Sequence, residues 1–119
     1  MNKKILVVDD DLAILEALQI VLENAGYDVT TIADAQKVER EILQRNPDLI
    51  LLDIWMSGQD GREITKHLKS KDDTKKVPIV LISALSNAEG IAKEAGADDF
   101  LAKPFDIDDL LAIVKRYAN

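Results

Sequence analysis

Five short apolar runs punctuate the chain, and the residues between them switch to a helical spacing. Ile5-Leu6-Val7-Val8, Leu49-Ile50-Leu51-Leu52 and Ile79-Val80-Leu81-Ile82 are unbroken rather than alternating. Such runs predict strands covered on both faces, as in a parallel sheet flanked by helices. Val29-Thr30-Thr31-Ile32 and Phe100-Leu101-Ala102 are weaker and predict strands nearer the edges. Ile14, Leu18, Val21, Leu22 and Ala25 fall on one face of a helix, with Asp11 placed to cap its start and Gly26 to end it in the left-handed conformation. Ile107, Leu110, Leu111, Val114 and Ala118 repeat the pattern for a last helix, with Asp106 as its cap. Val38 with Ile42, Ile64 with Leu68, and Ala88 with Ile91, Ala92 and Ala95 mark three shorter helices, the last of them closed by Gly96.

The order is therefore strand-helix five times over, a (βα)5 pattern. Parallel neighbours need right-handed crossover helices, so this alternation predicts an α/β fold with an open, doubly wound, five-stranded parallel sheet. The 119 residues suit one domain, read as 1–119 with no linker, and 47% hydrophobic against 31% charged residues is ordinary globular composition. A net charge of −7 argues against direct nucleic-acid binding, which needs a concentrated positive face. No apolar stretch approaches the roughly 18 residues of a membrane span, so membrane insertion is not expected and a cytoplasmic location is. Cysteine is absent and His67 is the single histidine, which excludes thiol nucleophiles, cysteine metal sites, histidine-built metal sites and Ser/His pairs. Chemistry is left to carboxylates, hydroxyls, lysines and a borrowed ion.

In an open parallel sheet the ligand crevice lies beyond the carboxyl ends of the strands. Asp9, Asp10 and Asp11 follow the first strand, Asp53 closes the third, Ser83 follows the fourth and Lys103 the fifth. Taken singly, each has an ordinary explanation as a turn former, a helix cap or a solvated side chain. Those explanations give no reason for all of them to occupy the same rim. Carboxylates about 5 Å apart repel by roughly 3 kcal/mol at an effective dielectric near 20, so clustering Asp9, Asp10 and Asp53 calls for a cation. With no cysteine in the chain and no histidine among these residues, the cation should be hard and oxygen-liganded, Mg²⁺ or Mn²⁺. Mg²⁺ commonly completes its shell with a phosphate oxygen; Lys103 and Ser83 would complete a phosphoryl cradle, and Asp53 is the candidate nucleophile.

These residues resemble the receiver domain of response regulators of two-component signal transduction, in its stand-alone form, over essentially the whole chain. The resemblance is carried by Val7-Val8-Asp9-Asp10-Asp11, Pro47-Asp48-Leu49-Ile50-Leu51-Leu52-Asp53, Met56 with Asp60-Gly61, Ser83-Ala84, Gly96-Ala97 and Lys103-Pro104-Phe105. It implies the flavodoxin-like strand order 2-1-3-4-5. It also implies that Asp53 is the phospho-acceptor, fed by a sensor histidine kinase or phosphotransfer protein. Asp9, Asp10, Asp53 and the backbone carbonyl of Trp55 would hold Mg²⁺, Ser83 would be the switch hydroxyl, Phe100 the switch aromatic and Lys103 the phosphate-binding lysine, with a cis Lys103–Pro104 bond. The implied function is a phospho-accepting switch that changes the surface of its fourth helix, fifth strand and fifth helix toward a downstream protein target, catalysing only its own phosphorylation and dephosphorylation. Two departures stand out. Ser57 occupies the position where the family usually has proline, and the segment from Ser83 to Lys103 is shorter than the common pattern, which falls on the fourth helix.

Rival functions fit the residues less well. A Mg²⁺-dependent phosphohydrolase with an aspartate nucleophile commonly carries a second acid two residues later, where this chain has Trp55. A flavin- or nucleotide-binding module wants a phosphate loop after the first strand, where Asp9-Asp10-Asp11 would repel it. A receiver-like module that binds partners without phosphorylation would not need the full Asp/Ser/Lys set. His67, among Lys66 and Lys69, reads as part of a solvated face. Trp55 is expected in the loop beside the metal. Lys69, Lys71, Lys75 and Lys76, interleaved with Asp72 and Asp73, read as a solvated loop, and Asp98-Asp99 as a turn.

Overall fold

A computed structural model describes residues 2–56 and 58–118; Met1, Ser57 and Asn119 lie outside the described residues. Five strands form the main sheet: β1 (Lys4–Val8), β2 (Asp28–Ile32), β3 (Leu49–Asp53), β6 (Ile79–Ser83) and β7 (Asp99–Ala102). All neighbours are parallel, in the order β2-β1-β3-β6-β7. Counting main strands only, that is the expected 2-1-3-4-5. Five helices connect them: α1 (Leu12–Asn24), α2 (Val38–Arg45), α3 (Gly61–Lys69), α4 (Ala88–Ala95) and α5 (Ile107–Tyr117). A two-stranded antiparallel pair between β3 and α3, β4 (Trp55–Met56) with β5 (Gln59–Asp60), was not foreseen. Trp55 is therefore in a strand rather than an open loop.

The unbroken apolar runs are explained by two separate cores. Side chains alternate along each strand, so Leu6, Val8, Ile50, Leu52, Ile79 and Leu81 pack with Val38, Ile42, Leu68, Ile91 and Ala92 of α2, α3 and α4. Ile5, Val7, Leu49, Leu51, Val80 and Ile82 face the other way, against Leu15, Leu18 and Leu22 of α1 and Leu110, Ile113 and Val114 of α5. Removing a buried Leu or Ile side chain from either layer typically costs about 2–5 kcal/mol, so the sheet is a rigid platform whose carboxyl ends stay in register.

Caps fall where local chemistry placed them. The Asp11 side chain accepts from the Ala13 and Ile14 amides, and Asp106 accepts from the Asp109 amide. Gly26 and Gly96 are left-handed at φ 97° and 86°. Asn46 ends α2 in the same region at φ 49°, a stop the sequence pattern did not signal.

Two surface readings need correction. Asp98-Asp99 is more than a turn: Asp98 Oδ2 accepts from the Ile79 amide at 2.8 Å and from Lys69 Nζ at 2.7 Å, and Asp99 belongs to β7. Lys69 is accordingly not a solvated loop residue, since it also donates to the carbonyls of Lys75 and Val77. Among the described residues no helix is long and apolar enough to cross a membrane.

Candidate functional site

Register brings the predicted residues to one rim. Val8 pairs with Leu52, so Asp9 and Asp53 emerge side by side from the two central strands. Asp53 pairs with Ile82, and Ser83 with Ala102, which sets Ser83 and then Lys103 on the adjoining strand ends. Carboxylate oxygens of Asp9, Asp10 and Asp53 all lie within 4.8 Å of one another. Lys103 Nζ stands 3.4 Å from Asp53 Oδ1 and 3.9 Å from Asp9 Oδ2. The Lys103–Pro104 peptide is cis, as the resemblance implied.

Asp9 is almost fully buried. Its Oδ1 accepts the Asp11 amide at 2.9 Å, but its Oδ2 is buried without a hydrogen-bond partner. A buried carboxylate oxygen left without a donor is costly, and a cation among three acidic side chains would satisfy it. Burial is the main reason the carboxyls of Asp9 and Asp53 both sit above the usual carboxylate range. Asp53 is pushed further up by the charge of Asp9, and Lys103 opposes the rise in both. The donor set is all oxygen and anionic, which suits a hard divalent ion.

Ser83 is buried at the end of β6, and its Oγ accepts the Leu85 amide at 2.9 Å. The hydroxyl is thereby tied to the start of the following loop. Phe100, half-buried in β7 beside Leu81, packs against the core under α2, α3 and α4. Trp55 is 59% exposed on β4, with the Arg62 guanidinium 5.6 Å from its ring centroid.

Gly61 opens α3 directly after its Asp60 cap. Its amide donates to the Ile54 carbonyl at 2.7 Å, and a Cβ there would sit 2.5 Å from the Asp53 carbonyl oxygen. Only glycine lets α3 begin this close to the backbone of Asp53. Asp60-Gly61 at a helix start was the available signal, but which backbone it approaches is not a local property.

A family model described as the response regulator receiver domain matches residues 5–115. The chain belongs to that family. It is a receiver domain of the two-component type, a domain of phosphoacceptor signalling. The DNA-binding dual master transcriptional regulator RpaA of Synechocystis is 38% identical over 94% of this chain and 47% of its own length. The chain thus spans about half the length of the curated relatives it matches. Among solved structures, a response regulator from Chloroflexus aurantiacus superposes with a TM-score of 0.92 at 34% identity, covering 99% of this chain and 98% of the other. The receiver domain of sensor histidine kinase PA1611 from Pseudomonas aeruginosa superposes with a TM-score of 0.88 at 29% identity, covering 99% and 98%; that protein holds a magnesium ion in its active-site cleft.

Proposed function

We propose that Asp53 accepts a phosphoryl group from a histidine kinase or phosphotransfer protein, with Mg²⁺ held by Asp9, Asp10, Asp53 and the backbone carbonyl of Trp55. The supporting observation is the orphaned Asp9 Oδ2 inside a cluster of three carboxylates that Lys103 alone does not neutralise. Mn²⁺ fits the same donors. When bound, the ion supplies charge neutralisation and polarisation of the phosphoryl oxygens. An Asp53 carboxylate oxygen attacks phosphorus, the phosphorus–nitrogen bond of the donor histidine breaks, and an acyl phosphate remains on Asp53. Lys103, held toward Asp53 by the end of β7, pairs with a phosphoryl oxygen as a point charge. Turnover is confined to the domain's own phosphoryl group.

Ser83 and Phe100 read the new group. The phosphorylated side chain carries about two negative charges and extra acceptor oxygens. Ser83 Oγ, now accepting from Leu85, turns to donate to one of those oxygens and draws the β6–α4 loop inward. Phe100 then fills the vacated space, remodelling the α4–β7–α5 surface for a downstream protein. Moving a two-state population from 1:99 to 99:1 takes about 5.5 kcal/mol, within reach of a few charge-assisted hydrogen bonds.

Exposure to a small phosphodonor with Mg²⁺, followed by intact mass spectrometry, tests the chemistry. Wild type should gain one phosphoryl group and Asp53→Asn none. Equal labelling of both would overturn the assignment. Amide shifts confined to the neighbourhood of Asp53, with α4 and α5 silent, would overturn the switch.

A further inference from the structure

The β4–β5 pair is too small to hold itself together, having two residues in each strand where a self-supporting sheet needs three or more longer strands. Its base is closed by the Gly61 amide on the Ile54 carbonyl. Beyond that, Trp55 lies opposite Asp60 in the antiparallel register, and Arg62 spans both. Arg62 Nε lies 3.0 Å from Asp60 Oδ1, and its Nη2 lies 2.8 Å from Oδ2, a two-pronged grip. The same Asp60 Oδ1 accepts the Arg62 amide at 2.9 Å and so caps α3. The guanidinium then lies over the Trp55 ring, which is otherwise largely open to solvent. One arginine thus ties the first turn of α3 to both strands of the hairpin.

We propose that Arg62 is a positioning residue for the divalent cation: the Asp60–Arg62–Trp55 stack holds in place the backbone segment whose Trp55 carbonyl is assigned to the ion. The proposal rests on the Mg²⁺ reading above and adds a side chain that never touches the metal. It competes with a plainer effect of opposite sign. Deleting Arg62 removes a positive charge from the hairpin and leaves the negative charge of Asp60 unpaired, and by charge alone Mg²⁺ would then bind more tightly. Loss of a brace makes it bind more weakly.

Calorimetric titration of the whole chain with MgCl₂ at fixed ionic strength separates the two. Arg62→Met should weaken binding by about three- to tenfold, the range expected for losing a stacked, two-pronged arginine at a partly exposed site. Asp60→Asn keeps a good helix cap but loses the grip and should weaken binding in the same direction. Arg62→Lys keeps a charge over the ring without the fork and should fall between. Trp55→Phe keeps a smaller aromatic face under the guanidinium and should weaken binding less than Arg62→Met does. Trp55→Ala should resemble Arg62→Met, and the pair combined should be no weaker than the worse single variant, since both remove one stack. Metal-free urea midpoints of each variant report folding separately. Unchanged or tighter Mg²⁺ binding by Arg62→Met and Asp60→Asn overturns the proposal and leaves the metal reading standing. Absence of Mg²⁺ uptake by wild type overturns both.

Discussion

Carboxylates at two places in this domain have opposite fates. On the outer face, Glu39 of α2 takes a hydrogen bond from Lys71 at 2.8 Å and meets His67 Nε2 at 2.7 Å, and these partners hold its carboxyl below the usual range. At the carboxyl rim of the sheet, Asp9 and Asp53 are buried beside each other with Lys103 as a shared and distant cation, and both are held above it. His67 and Lys71, which the sequence assigned to a solvated surface, are indeed exposed but spoken for. The surface cluster is complete and holds α2 to α3. The rim is incomplete, with a buried oxygen lacking a donor. Satisfied charges are structural, whereas the rim keeps charges the fold itself does not neutralise, as the proposed uptake of an ion and a phosphoryl group would require.

Substitutions at the two places should therefore differ in sign as well as size. The largest change is expected from Lys103→Met, which leaves the buried pair without its cation; metal-free stability should fall by about 1–2 kcal/mol in urea titrations, discounted from fully buried pairs because Lys103 is partly exposed. An increase instead would mean that Lys103 contributes nothing to holding the rim together.

Next in size, Asp53→Asn should gain about 1 kcal/mol of metal-free stability at neutral pH, because one of two repelling, desolvated carboxylates is gone. Both carboxyls bind a proton more tightly folded than unfolded, where their value is 3.8. Wild-type stability from these groups thus falls as pH rises from that value through the raised folded one, and the penalty is complete above it. The advantage of Asp53→Asn should shrink as the pH is lowered through that window, and an advantage independent of pH would break the comparison.

The smallest effect belongs to Glu39→Gln, a loss near the detection limit that fades in high salt. Its sign is reversed: the contribution is present above the unfolded value of 4.5 and disappears as the pH falls through the lowered folded one. A loss at Glu39 as large as that at Lys103 would erase the distinction between the two places.

Much of the architecture was legible along the chain because its causes are local. Unbroken runs such as Leu49–Leu52 announced strands covered on both faces, and Asp11, Asp106, Gly26 and Gly96 announced helix ends through chemistry reaching only a few residues. The rim was legible for a related reason, since strand ends in a parallel sheet share one edge and four of them carried polar groups. The β4–β5 pair was missed because two-residue strands leave no periodicity to read. Asp98 was misjudged because its partners, Ile79 and Lys69, lie far away in sequence.

By itself, then, the sequence determined the layered fold, the order of its elements and the identity of the side chains at the rim, all of which follow from hydrophobic spacing and short-range capping. Only the tertiary structure decided which atoms are left unsatisfied. That Asp9 has a bare oxygen, that Gly61 must lack a Cβ under the Asp53 carbonyl, and that Arg62 grips Asp60 while covering Trp55 depend on angstrom-scale meetings between separate segments. Burial and hydrogen bonding are properties of such meetings, and no residue carries them alone.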